Sequence, residues 1–111
     1  MNLTFIYTIE FDRLAEGVFT DEELRQVELQ LLANPNAGVV MRGTGGVRKL
    51  RVALPGRGKR GSARFIYFHL ASRARIYFLT LYLKNRQATL SEAGKQRASA
   101  LAEATKSEEG S

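Results

Sequence analysis

The sequence predicts an α+β domain: one small antiparallel sheet of about four strands, with two helices before it and one after. Three observations carry the prediction. Residues 64 to 70 and 75 to 83 are near-continuous apolar runs joined by a short link, the pattern of two paired central strands. Thr20 and Glu23 form a capping box ahead of Leu24, Val27, Leu31 and Leu32, which recur at helical spacing. Leu50, Val52 and Leu54 alternate with Lys49, Arg51 and Ala53, giving a strand with one apolar and one basic face. Helices grouped ahead of a strand meander belong to the α+β class.

Each element has a local reason. Residues 3 to 9 are rich in aromatic and β-branched types with a partial period of two, and predict a buried strand. Residues 10 to 16 give one or two helical turns in which Phe11, Leu14 and Ala15 share a face, with Gly17 as the stop. The second helix follows Thr20 and ends at Asn34-Pro35; Asp21, Glu22 and Glu23 complement its dipole in the first turn, a structural role that accounts for them. A loop with Gly43-Thr44-Gly45-Gly46 leads to the two-faced strand, residues 47 to 54. Residues 55 to 61, Pro-Gly-Arg-Gly-Lys-Arg-Gly, cannot pack a core and predict a basic hairpin loop. After the central strands, Thr89 and Glu92 offer a second capping box, and Leu90, Ala93, Leu101 and Ala104 point the last helix toward the body, with fraying from about Lys106.

The 111 residues, 44% of them apolar, suit a single domain over residues 1 to 111. No run of about 18 apolar residues predicts a membrane span, and the N-terminus lacks the pattern of a signal peptide. The reading is cytoplasmic, with no membrane partner. The absence of cysteine removes disulfides, thiolate chemistry and cysteine-bound zinc.

Charge is distributed unevenly. Residues 29 to 91 hold twelve Lys and Arg and no carboxylate, while all eleven acids lie outside that stretch, so the formal +6 understates how basic the centre is. Surfaces usually intersperse both signs; an acid-free basic block attracts polyanions, with nucleic acid first among them. Lys49 and Arg51 project from one face, with Arg57, Lys59 and Arg60 of the basic loop able to lie over it. Arg64, Lys84, Asn85 and Arg86 stand at strand ends beside it. Tyr67, Tyr77 and Tyr82 lie on the central strands as core residues or as stacking surfaces.

Other chemistries fit poorly. His69 is the single histidine, which excludes a histidine metal cluster. The 43 to 46 glycine loop precedes a strand, whereas phosphate loops precede a helix. Carboxylates for two-metal hydrolysis are not grouped within the basic block. Metal-free RNA strand scission fits the basic face best: the 2′-hydroxyl attacks its own phosphate, Lys and Arg hold the phosphate oxygens, and lysines serve in proton transfer. Such a site needs outside help to place its substrate in line.

Gly43 to Val52 (Gly-Thr-Gly-Gly-Val-Arg-Lys-Leu-Arg-Val), Gly58-Lys59-Arg60-Gly61, Arg64-Phe65-Ile66-Tyr67-Phe68 and Leu79-Thr80-Leu81-Tyr82-Leu83-Lys84-Asn85 together resemble a HigB-type toxin of the RelE/ParE superfamily. The resemblance implies a RelE-like fold and a toxin that cleaves mRNA in the ribosomal A site without a cofactor or metal, leaving a 2′,3′-cyclic phosphate and a 5′-hydroxyl. It further implies a cognate antitoxin, with a helix-turn-helix DNA-binding domain, as partner. By the same resemblance Lys49 and Arg51 match positions that contact phosphate or move protons, Arg64 matches a transition-state arginine, and Lys84 and Asn85 match a segment that adds a catalytic side chain. Arg48, Arg57, Lys59, Arg60 and Arg86 are the expected RNA and ribosome contacts. Two departures stand out: Asn85 occupies the place of an arginine in RelE, and residues 89 to 92 hold no counterpart to its tyrosine. A ParE-like gyrase inhibitor and a non-catalytic RNA-binding relative are the competing expectations on this fold.

Overall fold

The computed structural model describes residues 2–54 and 61–109. β1 (Thr4–Tyr7) is followed by α1 (Ile9–Ala15), α2 (Asp21–Ala33), β2 (Val39–Val40), β3 (Arg48–Ala53), β4 (Ser62–Leu70), β5 (Arg75–Leu83) and α3 (Glu92–Glu109). The five strands form one sheet in the order β1-β5-β4-β3-β2. β2 to β5 pair antiparallel in sequence order. β1 pairs parallel with β5, because the chain leaves β1 through two helices and returns along the far edge.

The α+β class stands, with one more strand than expected and a mixed sheet. β2 has two residues and shows no alternation to read. The first strand ends at Tyr7 because Thr8 caps α1: its hydroxyl accepts from Phe11 N and lies 3.0 Å from Phe78 O and 2.9 Å from Leu79 O. Ile9 therefore opens a helix, exposed, instead of closing a strand. α1 stops before Gly17, whose φ of +75° suits glycine. The capping box of α2 is present with both bonds formed.

Strand alternation sorts the core onto two faces. On one, Leu50, Val52, Phe65, Tyr67 and Phe78 pack against Phe11 of α1 and Val27 and Leu31 of α2. Phe65 meets Phe11 and Phe19 edge-on, each with centroids 5.0 Å apart. On the other face, Val47, Ile66, Phe68, Leu79 and Tyr82 lie under α3.

α3 departs from its expected geometry in three respects. Ser91 is its cap, accepting from Gly94 N at 3.0 Å, rather than the Thr89 and Glu92 box. Its inward face is Gly94, Ala98, Ala102 and Thr105, while Leu101 is 40% exposed and Ala93 and Ala104 are exposed. Large rings of the sheet already fill the interface, so only small helix residues fit against them. The helix also continues past Lys106 to Glu109: Lys106 Nζ donates to Gly45 O (2.8 Å) and sits over the Phe68 ring, holding the turn in place. No helix among the described residues is long and apolar enough to cross a membrane.

Candidate functional site

Because Leu50 and Val52 face α1 and α2, Lys49 and Arg51 face the opposite side of the sheet. The register then places Lys49 opposite Ile66, Arg51 opposite Arg64, and Arg64 opposite Tyr82. Arg51, Arg64 and Tyr82 thus form a row across β3, β4 and β5, with Lys49 one position along. Side chains directly opposed on neighbouring strands have Cβ atoms about 5 Å apart, and like charges so placed repel.

Among the described residues no ion pair offsets that repulsion. Neither the Lys106–Glu103 pair (3.0 Å) nor the Arg97–Glu10 pair (3.5 Å), which borders a cavity that Tyr82 also lines, involves Lys49, Arg51 or Arg64. Among the described residues the Arg64 guanidinium donates only to its neighbour's carbonyl, Ala63 O, at 3.3 Å. The side chains of Lys49 and Arg51 have no hydrogen-bond partner among the described residues. Arg51 also borders a groove with Glu22 and Glu23 of α2, without an ion pair to either. Three cations whose side chains make no ion pair among the described residues are suited to hold phosphate oxygens.

The other candidates are placed as follows. Lys84 lies at the same sheet end, its N–H donating to Ser62 O (3.0 Å) and its Nζ to Ala88 O (2.9 Å). Asn85 and Arg86 continue its exposed turn. Arg48 does not join the row. It pairs with Tyr67 on the opposite face and donates to Gly38 O (2.7 Å) and Asn36 O (3.3 Å), tying the α2–β2 connection to the sheet. Arg57, Lys59 and Arg60 lie outside the described residues.

His69 and Tyr67 share the Arg48 face. His69 Nδ1 lies 3.0 Å from Asn36 Oδ1, and burial, then the Arg48 charge, hold its pKa below the usual value. Tyr67 is fully buried; its hydroxyl donates to Pro35 O (2.8 Å) and accepts from Gly38 N (2.9 Å). A Cβ on Gly38 would come within 2.8 Å of that ring, so the close approach requires glycine. Both side chains bond to the connection between α2 and β2. Among the described residues no group of three or more carboxylate or histidine side chains is placed to hold a metal.

Tyr82 is a core residue under α3, one of the two roles expected of it, and it also closes the row. Burial raises its hydroxyl's pKa while the Arg64 charge lowers it, so the two side chains sense each other. Their pairing depends on a bulge: Ile66 pairs with Thr80 and Tyr67 with Phe78, leaving Leu79 without a partner. Without that extra residue the hairpin register would set Leu81 opposite Arg64. No alternation in the sequence marks the bulge.

Residues 5–110 match the family model of the RelE toxin of the RelE/RelB toxin-antitoxin system. Among solved structures, a double arginine mutant of the E. coli toxin RelE in the free state superposes with a TM-score of 0.58 at 13% identity, covering 79% of this chain and 90% of that one. At this identity the structural likeness concerns the fold, whereas the family model spans nearly the whole sequence. The chain belongs to the RelE toxin family.

Proposed function

We propose that this toxin is a ribosome-dependent, metal-independent endoribonuclease of the HigB type, a cytoplasmic single-domain protein that cleaves mRNA in the A site. The observation that carries the reading is the row itself: Arg51 and Arg64 opposed on adjacent strands, with Lys49 beside them and no acid paired to any of the three. The arrangement costs a few tenths of a kcal/mol up to about 1, and a bound phosphate would offset it.

In the proposed reaction the ribose 2′-oxygen attacks the adjacent phosphorus, the bond to the 5′-oxygen breaks, and a 2′,3′-cyclic phosphate and a 5′-hydroxyl result. Arg51 and Arg64 hold the non-bridging oxygens as negative charge develops on them. One proton leaves the 2′-hydroxyl and one reaches the 5′-oxygen, and Lys49 is the side chain assigned to proton transfer. Lys84 and Asn85 border the site from the turn after β5. His69 takes no part, since it lies on the other face. The ribosome supplies the in-line placement of the substrate, and a cognate antitoxin with a helix-turn-helix domain restrains the toxin.

Purified protein added to programmed ribosomes should yield cuts within the A-site codon, mapped by primer extension. Arg64→Ala should slow them by about 100-fold or more, the usual loss when a charge-stabilising group is removed. Intact message with the wild-type protein would sink the proposal.

A further inference from the structure

The row does not end at Tyr82. On the α1 side of that ring, between α1, the end of β5, the turn after it and α3, lies a cavity of about 350 Å³. Thr80 and Tyr82 line it. Thr80 is 4% exposed and Tyr82 5%, yet neither hydroxyl has a hydrogen-bond partner among the described residues. Every fully enclosed side-chain polar atom among those residues does have one. The two hydroxyls must therefore keep an opening, and this cavity adjoins both side chains. Both hydroxyls, without a partner among the described residues, can bond to a molecule that enters the cavity.

The cavity's charges say what enters. Arg13 of α1 lines it and makes no ion pair among the described residues, while Arg97 of α3 is paired with Glu10. The Glu10 carboxylate also lines the cavity but is paired with Arg97, which leaves the Arg13 guanidinium, two hydroxyls and the apolar Leu90 to match a sugar-phosphate unit with its base. The cavity continues the row that holds Arg64, so a strand whose phosphate lies on Arg51 and Arg64 would pass over Tyr82 into it.

We propose that this cavity is a binding subsite for the nucleotide that flanks the scissile phosphate. Thr80 and Tyr82 bond to its ribose or phosphate oxygens, and Arg13 takes its outer phosphate. The proposal rests on the ribonuclease reading above.

The test uses a 2′-O-methylated trinucleotide, which cannot be cleaved, titrated into the isotopically labelled wild-type protein. NMR signals of Arg13, Thr80 and Tyr82 should shift together with those of Arg51 and Arg64. The double variant Arg13→Ala, Thr80→Val should bind about tenfold more weakly, the scale of losing one charge-assisted hydrogen bond. Thr80→Val alone should keep the wild-type unfolding midpoint or raise it, because the hydroxyl has no partner to lose. Shifts confined to Lys49, Arg51 and Arg64, with the double variant binding as the wild type does, would overturn the subsite. A loss of stability in Thr80→Val would do the same, by showing the hydroxyl to be structural. If ribosome-bound message stays intact while the trinucleotide still occupies the cavity, the ribonuclease reading fails and the subsite stands.

Discussion

Arg51 and Arg64 face each other across two strands without an acid between them, and that opposition has a stability signature. Removing one charge should relieve the repulsion by a few tenths of a kcal/mol, up to about 1. Arg51→Gln should therefore raise the urea midpoint at low salt, and the gain should vanish near 1 M salt as screening removes the repulsion. A lowered midpoint at low salt would mean that some partner already neutralises Arg51. His69 offers a second check, since it is the single histidine and titrates alone. Its folded pKa lies below the usual 6.5, so the folded state disfavours the proton. Its contribution to stability is complete above about pH 6.5 and is lost as pH falls through the depressed folded value. The fall in urea midpoint on acidification below pH 6.5 should be smaller in His69→Gln than in the wild type; an identical fall would assign it to the carboxylates. Lys49 and Arg51 were legible in the sequence because a period of two fixes their shared face. The role of Arg48 was not, because its acceptors, Asn36 O and Gly38 O, belong to a connection whose path no periodicity encodes.

At the scale of elements, legibility followed the strength of the local signal. The capping box of α2 and the span of β5 were readable, since each is written in consecutive residues. The inward face of α3 was not. Counting apolar residues favours Leu101, yet Ala98 and Ala102 face the sheet, because Phe68 and Tyr82 occupy the space that a leucine would need. This makes a sharp contrast between neighbours. Ala102→Leu should overpack the interface and cost about 2 kcal/mol, whereas Leu101→Ala should change stability by no more than about 0.5 kcal/mol. Urea denaturation of both variants checks it, and a larger loss in Leu101→Ala would put the other face of the helix inward. The bulge at Leu79 is the other illegible element, and it decides more: by turning Tyr82 instead of Leu81 toward Arg64, one unpaired residue sets the composition of the site.

Across the whole molecule, the uneven charge of the sequence becomes an arrangement in space. Most of the early acids sit on or beside α1 and α2, where Asp12, Asp21, Glu22 and Glu28 gather around Tyr7, whose hydroxyl donates to the Glu28 carboxylate. Lys49, Arg51 and Arg64 project from the other side of the sheet, so the row that would receive a polyanion lies away from the acids around Tyr7. Binding of single-stranded RNA should then follow the salt dependence of a small, defined set of phosphate contacts. The three contacts of the row give a slope of log K against log salt of about −2, at roughly −0.7 per phosphate neutralised, and Arg13 as a fourth brings it to about −3. Arg51→Ala should reduce the magnitude of the slope by about 0.7, the loss of one contact. Arg48→Ala removes the same formal charge from the adjacent position, but its guanidinium is committed to carbonyls on the opposite face, so its slope should match the wild type. Fluorescence anisotropy of a labelled oligoribonucleotide across a potassium chloride series measures both. Equal losses in the two variants would mean that RNA senses only the sum of charge. A loss confined to Arg51 would mean that strand alternation, by choosing which of two neighbouring arginines meets the phosphate, determines the binding face.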